Sequence, residues 1–180
     1  MLPRIGVTVV VASLAIAACS DRASPTTAGG GSSSPAIVAA DGVDGLPDTV
    51  AALPNADAGA FRALVEDMRG TPVVVNLWAS WCEPCKREMP MLSEAARSTP
   101  DVQFLGVDSL DSREGAEAFI AEYRVPFPSL FDPEGAIRTD LDSLGLPVTV
   151  FFDAAGDQVA KVDGELSQGA LEEHLDEIAG

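Results

Sequence analysis

The sequence predicts an α/β fold, a central mixed β-sheet flanked by helices. Three observations predict it. Strand-like and helix-like segments alternate from about residue 60 to the end of the chain. The run Val73-Val74-Val75-Asn76-Leu77-Trp78 is β-branched and apolar on both faces, as a central strand covered on two sides must be. Late in the chain two strands are joined by a short turn, and an amphipathic helix follows, which adds antiparallel pairing to a sheet otherwise built by crossovers. The 180 residues, 47% of them apolar, suffice for one core of ordinary size.

The first forty residues stand apart from this pattern. Arg4 precedes an uncharged run, Ile5 to Ala18, of about fourteen residues, the length of a signal-peptide core and short of the roughly twenty needed to span a bilayer. It ends in Ile16-Ala17-Ala18-Cys19, which resembles the lipobox of bacterial lipoproteins. That resemblance implies a signal peptide over residues 1–18, lipidation of Cys19, anchorage in the cell membrane, and two remaining cysteines free to pair. An ordinary signal cleaved at Ala15-Ile16-Ala17 and an uncleaved anchor helix are the alternatives. Each places the domain outside the cytoplasm, where disulfides persist. Residues 19–44, with Pro25, Gly29-Gly30-Gly31 and Ser32-Ser33-Ser34, have too little apolar surface to offset ordering and read as a flexible tether. Residues 45–180 form the folded domain. Its opening stretch, about 41–59, is loop-like, and no strand can be placed there.

The elements then follow in order. Residues 60–69 carry apolar side chains at Phe61, Leu64, Val65 and Met68, a helical spacing closed by Gly70. Strand 72–78 leads into a helix over 83–98, which stops before Pro100. Val102–Val107 is a second apolar strand, and Ser112 caps a helix running to Tyr123. A short strand at 127–131 and a short helix at 133–141 come next. Strands 147–153 and 158–162 flank Ala154-Ala155-Gly156-Asp157, a hairpin signal. Residues 167–179, apolar at Leu171, Leu175 and Ile178, close the domain as a helix.

Composition removes several functions. Eleven Lys and Arg against 28 Asp and Glu give a formal charge of −17, which repels phosphate and argues against a nucleic-acid partner. Three cysteines are too few for a disulfide scaffold, and the single histidine, His174, nearly excludes His-rich metal sites. His174 reads as a surface residue. Met89 and Met91 read as packing residues.

The chemistry concentrates at Trp81-Cys82-Glu83-Pro84-Cys85. A zinc site needs four ligands, and no second pair exists beyond Cys85. A c-type haem site needs His at position 86, which is Lys. A buried inert pair is disfavoured by what reads as an exposed turn. Redox exchange fits the spacing. Cys82 opens the helix and Cys85 lies one turn in on the same side, a separation that suits a disulfide. Helix-terminal amides stabilise a thiolate at Cys82, the candidate nucleophile, and Cys85 resolves the mixed disulfide. Pro84 stiffens the first turn and has no N–H to leave unpaired there. Glu83 opposes the thiolate, and Lys86 and Arg87 partly offset it.

Here the stretch Val73 to Pro90, with its WCxPC core, resembles the thioredoxin superfamily and within it the TlpA/ResA-like membrane-tethered thiol-disulfide oxidoreductases. Gly145-Leu146-Pro147-Val148-Thr149-Val150-Phe151-Phe152-Asp153 resembles that family's cis-proline strand. The resemblance covers about residues 45–180. It implies a thioredoxin-like fold, a cis Pro147 facing the cysteines, and Leu146 offering backbone hydrogen bonds to an extended substrate. It implies that Trp81 belongs to the contact surface, while Trp78 is core. Thioredoxin has a buried Asp where this chain has Asn76, which takes no proton. The proton-accepting role then falls to Glu88, one turn beyond Cys85 on the same helical face. The other reading of Glu88 is a solvated residue beside Lys86 and Arg87.

The function this implies is an extracytoplasmic enzyme acting on protein thiols and disulfides without a cofactor. It would be a reductase fed by a membrane electron-donor protein and engaged in cytochrome c maturation. A disulfide-forming oxidase is the alternative. A thiol peroxidase lacks its P-x-x-x-T-x-x-C pattern, since Ala79-Ser80-Trp81 precedes Cys82, and a copper-delivery lipoprotein lacks further ligands.

Overall fold

A computed structural model of the chain describes Gly6 and residues 46–180. The elements below all lie between Ala58 and Ala179. The expected signal peptide, Gly6 aside, the expected tether and Cys19 fall outside the described residues.

The element order is α1 (Ala58–Asp67), β1 (Val73–Trp78), α2 (Glu83–Ser98), β2 (Gln103–Ser109), α3 (Arg113–Tyr123), β3 (Ser129–Asp132), α4 (Ala136–Asp140), β4 (Val148–Phe152), β5 (Gln158–Asp163) and α5 (Gln168–Ala179). The five strands form one sheet in the order β3-β2-β1-β4-β5. β1 and β2 pair in parallel, as do β2 and β3, while β4 runs antiparallel to both β1 and β5. The mixed sheet expected from the late hairpin is thus present.

Strand alternation sorts the side chains into two cores. Val74, Trp78, Phe104 and Phe151 point to one face and pack with Cys85, Met89, Leu92, Phe119 and Leu171 of α2, α3 and α5. Val73, Val75, Leu77, Leu105, Val107 and Val150 point to the other and pack with Phe61, Leu64 and Ile137 of α1 and α4. Each such large apolar side chain contributes roughly 1.5–3 kcal/mol on burial. Trp78 is fully buried and stacks on Phe119 at 4.5 Å. Among the helices, Asp57, Ser112 and Ser167 cap α1, α3 and α5 by accepting from backbone N–H groups in the first turn.

Four expectations need correction. β2 runs two residues past Val107, because Asp108 and Ser109 pair with Phe131 and Asp132 of β3. β3 starts at Ser129 rather than 127, after Pro128, which has no N–H for the ladder. The stretch before α1 contributes one isolated bridge, Asn55 beside Phe131. His174 is half-buried, its ring 4.9 Å from that of Phe151 and its Nδ1 3.1 Å from Glu177, because α5 packs that side onto β4. No helix among the described residues is long and apolar enough to cross a membrane.

Candidate active site

β1 delivers the chain from the middle of the sheet to a tight turn, Ala79-Ser80-Trp81, with the Cys82 N–H on the Ala79 carbonyl at 3.1 Å. Cys82 is the N-cap of α2. Its backbone is extended (φ −84°, ψ 104°) and its Sγ accepts from the Cys85 N–H at 3.3 Å. Pro84 lies in the first turn, where a missing N–H costs nothing. Cys82 and Cys85 are joined by a disulfide with their Cα atoms 5.3 Å apart.

The turn is less open than the sequence implies. Cys82 is 3% exposed and Cys85 fully buried, whereas Trp81 is 57% exposed. The sulfurs sit on the core between α2 and the sheet, and the neighbouring indole is what faces solvent. The Trp81 Nε1–H donates to the Leu110 carbonyl at 3.0 Å, and the Ser80 N–H donates to Asp111 Oδ2. The β2–α3 loop therefore holds the turn from one side.

From the other side comes the Leu146–Pro147 bond, which is cis, the isomer the resemblance implies. Leu77 pairs with Val148, so Pro147 lies beside the end of β1 and next to the cysteine turn. The Gly164 N–H donates to the Pro147 carbonyl at 2.9 Å.

The charges around the sulfurs divide differently from the sequence expectation. Lys86 Nζ sits 2.6 Å from Glu83, and this hydrogen-bonded pair holds the Glu83 carboxyl below its ordinary range. Arg87 leaves Glu83 and forks onto Glu165 at 2.6–3.2 Å. Glu88 is not a solvated partner of these cations. It is 2% exposed, because the helix turns it onto β1. Its Oε1 accepts from Asn76 Nδ2 at 2.8 Å and its Oε2 from the Leu166 N–H at 2.7 Å. Burial raises its pKa to about 7; the bonds from Leu166 and Asn76 pull the other way, and Glu165 adds slightly to the rise. Asn76 Nδ2 also donates to Thr149 Oγ1 at 3.1 Å, which ties β1, β4 and α2 together under the disulfide.

Sequence reasoning missed Thr149, the Leu166 amide, and the acids Asp108 and Asp111. Thr149 stands opposite Asn76 only through the antiparallel register of β1 and β4. Asp108 stands beside Trp78 only through the parallel register of β1 and β2. Met89 is buried in the core that also holds Cys82 and Cys85, Met91 packs against the edge of that core, and His174 sits against Phe151. Among the described residues no group of three or more His, Cys, Asp or Glu could hold a metal ion. Chemically, the arrangement presents a disulfide-bonded cysteine pair at a helix N-terminus, a buried carboxyl one turn on, and an exposed indole at its rim.

Residues 46–160 match the AhpC/TSA family. The chain is 34% identical over 140 residues to the thiol-disulfide oxidoreductase ResA of Oceanobacillus iheyensis, spanning 76% of this chain and 72% of that protein. Among solved structures it is similar to DsbF of Mycobacterium tuberculosis, with a TM-score of 0.60 and 32% identity over 63% of this chain and 84% of that one. It is also similar to a secreted disulfide oxidoreductase of Mycobacterium tuberculosis homologous to E. coli DsbE. There the TM-score is 0.58 and the identity 28%, over 62% of this chain and 85% of the other.

Proposed function

This chain belongs to the AhpC/TSA family and is a thiol-disulfide oxidoreductase of the ResA and DsbE type with a thioredoxin-like fold, and we propose that it is an extracytoplasmic reductase of protein disulfides. The observation that carries the chemistry is the Cys82–Cys85 disulfide at the start of α2 with the buried Glu88 one turn further on. The Cys82 thiolate, favoured by the helix N-terminus, attacks one sulfur of a partner disulfide. The partner S–S bond breaks, its other sulfur leaves as a thiolate, and a mixed disulfide forms. Glu88 then takes the proton of the Cys85 thiol. Cys85 attacks Cys82, and the partner's second sulfur departs. Two electrons have passed to the partner, and Cys82 and Cys85 are joined again. A carboxyl titrating near pH 7 is suited to that proton transfer at neutral pH.

Trp81, Pro84 and Glu83 border the attacking sulfur, and the chain around Leu146 and Pro147 offers an edge for an extended partner segment. A lipid on Cys19 and the tether over residues 19–44, about 25–30 Å in mean reach, would hold the domain near a membrane electron donor and concentrate it there. Apocytochrome c is the client that the TlpA/ResA-like resemblance favours.

Equilibration with glutathione tests the direction. A reductase should lie nearer the roughly −270 mV of thioredoxin than the roughly −120 mV of DsbA. A potential at the oxidising end would make the protein a disulfide-forming oxidase. Replacing Cys85 by Ala in the full chain should trap partners on Cys82. Recovering apocytochrome supports the maturation role, and recovering no protein at all would remove protein thiols as substrates.

A further inference from the structure

Asp108 is fully buried at the end of β2, beside Trp78 in the strand register and so at the sheet end that carries the cysteine turn. Neither of its carboxyl oxygens meets a hydrogen-bond donor. The group it faces at hydrogen-bonding range is another carboxyl, Asp111. Asp111 is already occupied on both oxygens, by the Ser80 N–H and the Ser112 N–H at 2.7 Å. Two carboxyl groups in contact bond to each other only when one of them carries a proton. The other charged groups acting on Asp108 form no hydrogen bond to it. Asp132 at the end of β3 is engaged with the Ser109 hydroxyl and the first amides of α4. Arg113 of α3 directs its guanidinium to the Leu53 carbonyl, Asn55 and the Phe131 ring.

We propose that Asp108 is a positioning residue of the redox site: it holds a proton that it donates to Asp111, and Asp111 in turn fixes the Ser80 amide and the Ala79–Trp81 turn ahead of Cys82. The Trp81 indole bond to Leu110 completes the clamp from the same loop. Burial first, then the nearby Asp111 and Asp132, raise the Asp108 pKa to about 8, while Arg113 lowers it slightly. Asp108 is thus neutral at pH 7. When it ionises, two carboxylates repel at the base of the turn, and an uncompensated negative charge opposes the thiolate. This inference rests on Cys82 being the nucleophile.

The test uses the full chain and Asp108→Asn, whose amide still donates to Asp111 but does not titrate. Carboxyl carbon NMR of the oxidised protein, in which the joined sulfurs carry no proton, should show an aspartate titrating near pH 8 that is missing in the variant. The Trp81 indole N–H signal should step at the same pH in wild type only. Rates of Cys82–Cys85 reduction by dithiothreitol should agree within about twofold at pH 6.5. The wild-type-to-variant ratio should then fall by about threefold or more between pH 7 and 9. A midpoint in the ordinary carboxylate range, or a flat ratio, overturns the proposal. If Asp108→Asn does not fold, the wild-type titration still decides. If the thiol reduces neither protein, the redox reading fails while the NMR result still judges Asp108.

Discussion

At the scale of single residues, Glu88 shows how burial and hydrogen bonding divide control of one proton. The Leu166 and Asn76 N–H groups favour its ionised form, and burial outweighs them, to reach about 7. The folded chain therefore holds this proton more tightly than the unfolded chain, whose ordinary value is 4.5. The stability so conferred is complete below about pH 4.5 and is lost as the pH rises through about 7. Glu88→Gln removes the titration. Wild type should lose stability relative to this variant across that window, by at most about 1.4 kcal/mol per pH unit, as read from urea unfolding of both proteins. The same substitution removes the proposed base. Release of partner from a mixed disulfide should slow by about a hundredfold at pH 7.5, and its decline below pH 7 should vanish. Stopped-flow kinetics with a peptide disulfide measures both, and an unchanged profile would leave Glu88 a structural residue.

At the scale of elements, the junction of β1 with α2 makes the site, and β2 supports it from beside. The supporting strand has no room to spare. A Cβ on Gly106 would stand 2.3 Å from Ser129 Oγ and 2.8 Å from Trp78 Nε1. Gly106 lies opposite both Asn76 and Ser129 in the sheet, so β1 and β3 cannot both move away. Gly106→Ala should destabilise the domain by about 1–3 kcal/mol, seen as a lower urea midpoint. Adding Ser129→Ala should restore part of the loss by removing the nearest atom. Equal midpoints for the single and double variants would place the strain elsewhere. β5 has the opposite character. It is an edge strand with no fully buried residue, and Lys161 reaches from it to the carbonyls of Leu141 and Asp142 ahead of the cis-proline segment.

At the scale of the whole molecule, the sheet has two covered faces, and the redox pair belongs to the core on the α2, α3 and α5 side. That core is apolar, while the chain as a whole carries a formal charge of −17. Such a charge opposes compaction through self-repulsion. Raising salt from about 0.01 to about 0.1 M shortens the screening length from about 30 to about 10 Å. The urea midpoint at pH 7 should therefore rise over that range of sodium chloride. A constant or falling midpoint would show that local ion pairs such as Arg87–Glu165 outweigh the net repulsion.

The mixed sheet, the order of its elements and the place of the two cysteines are legible in the residues alone. Those features are written in short-range signals: periodicity of 2 against 3.6, cap residues, hairpin turns and a two-residue spacing at a strand-to-helix junction. Element ends were less legible, because β2 is lengthened by its partner β3 and not by its own residues. The surroundings of the sulfurs come instead from contacts between segments far apart in the chain. Glu88 reaches the Leu166 amide across 78 residues of chain, Asn76 meets Thr149 through a strand register, and Asp108 meets Asp111 where β2 turns into its loop. Burial and long-range pairing set whether those carboxyls keep their protons, and no local pattern of residues encodes either one.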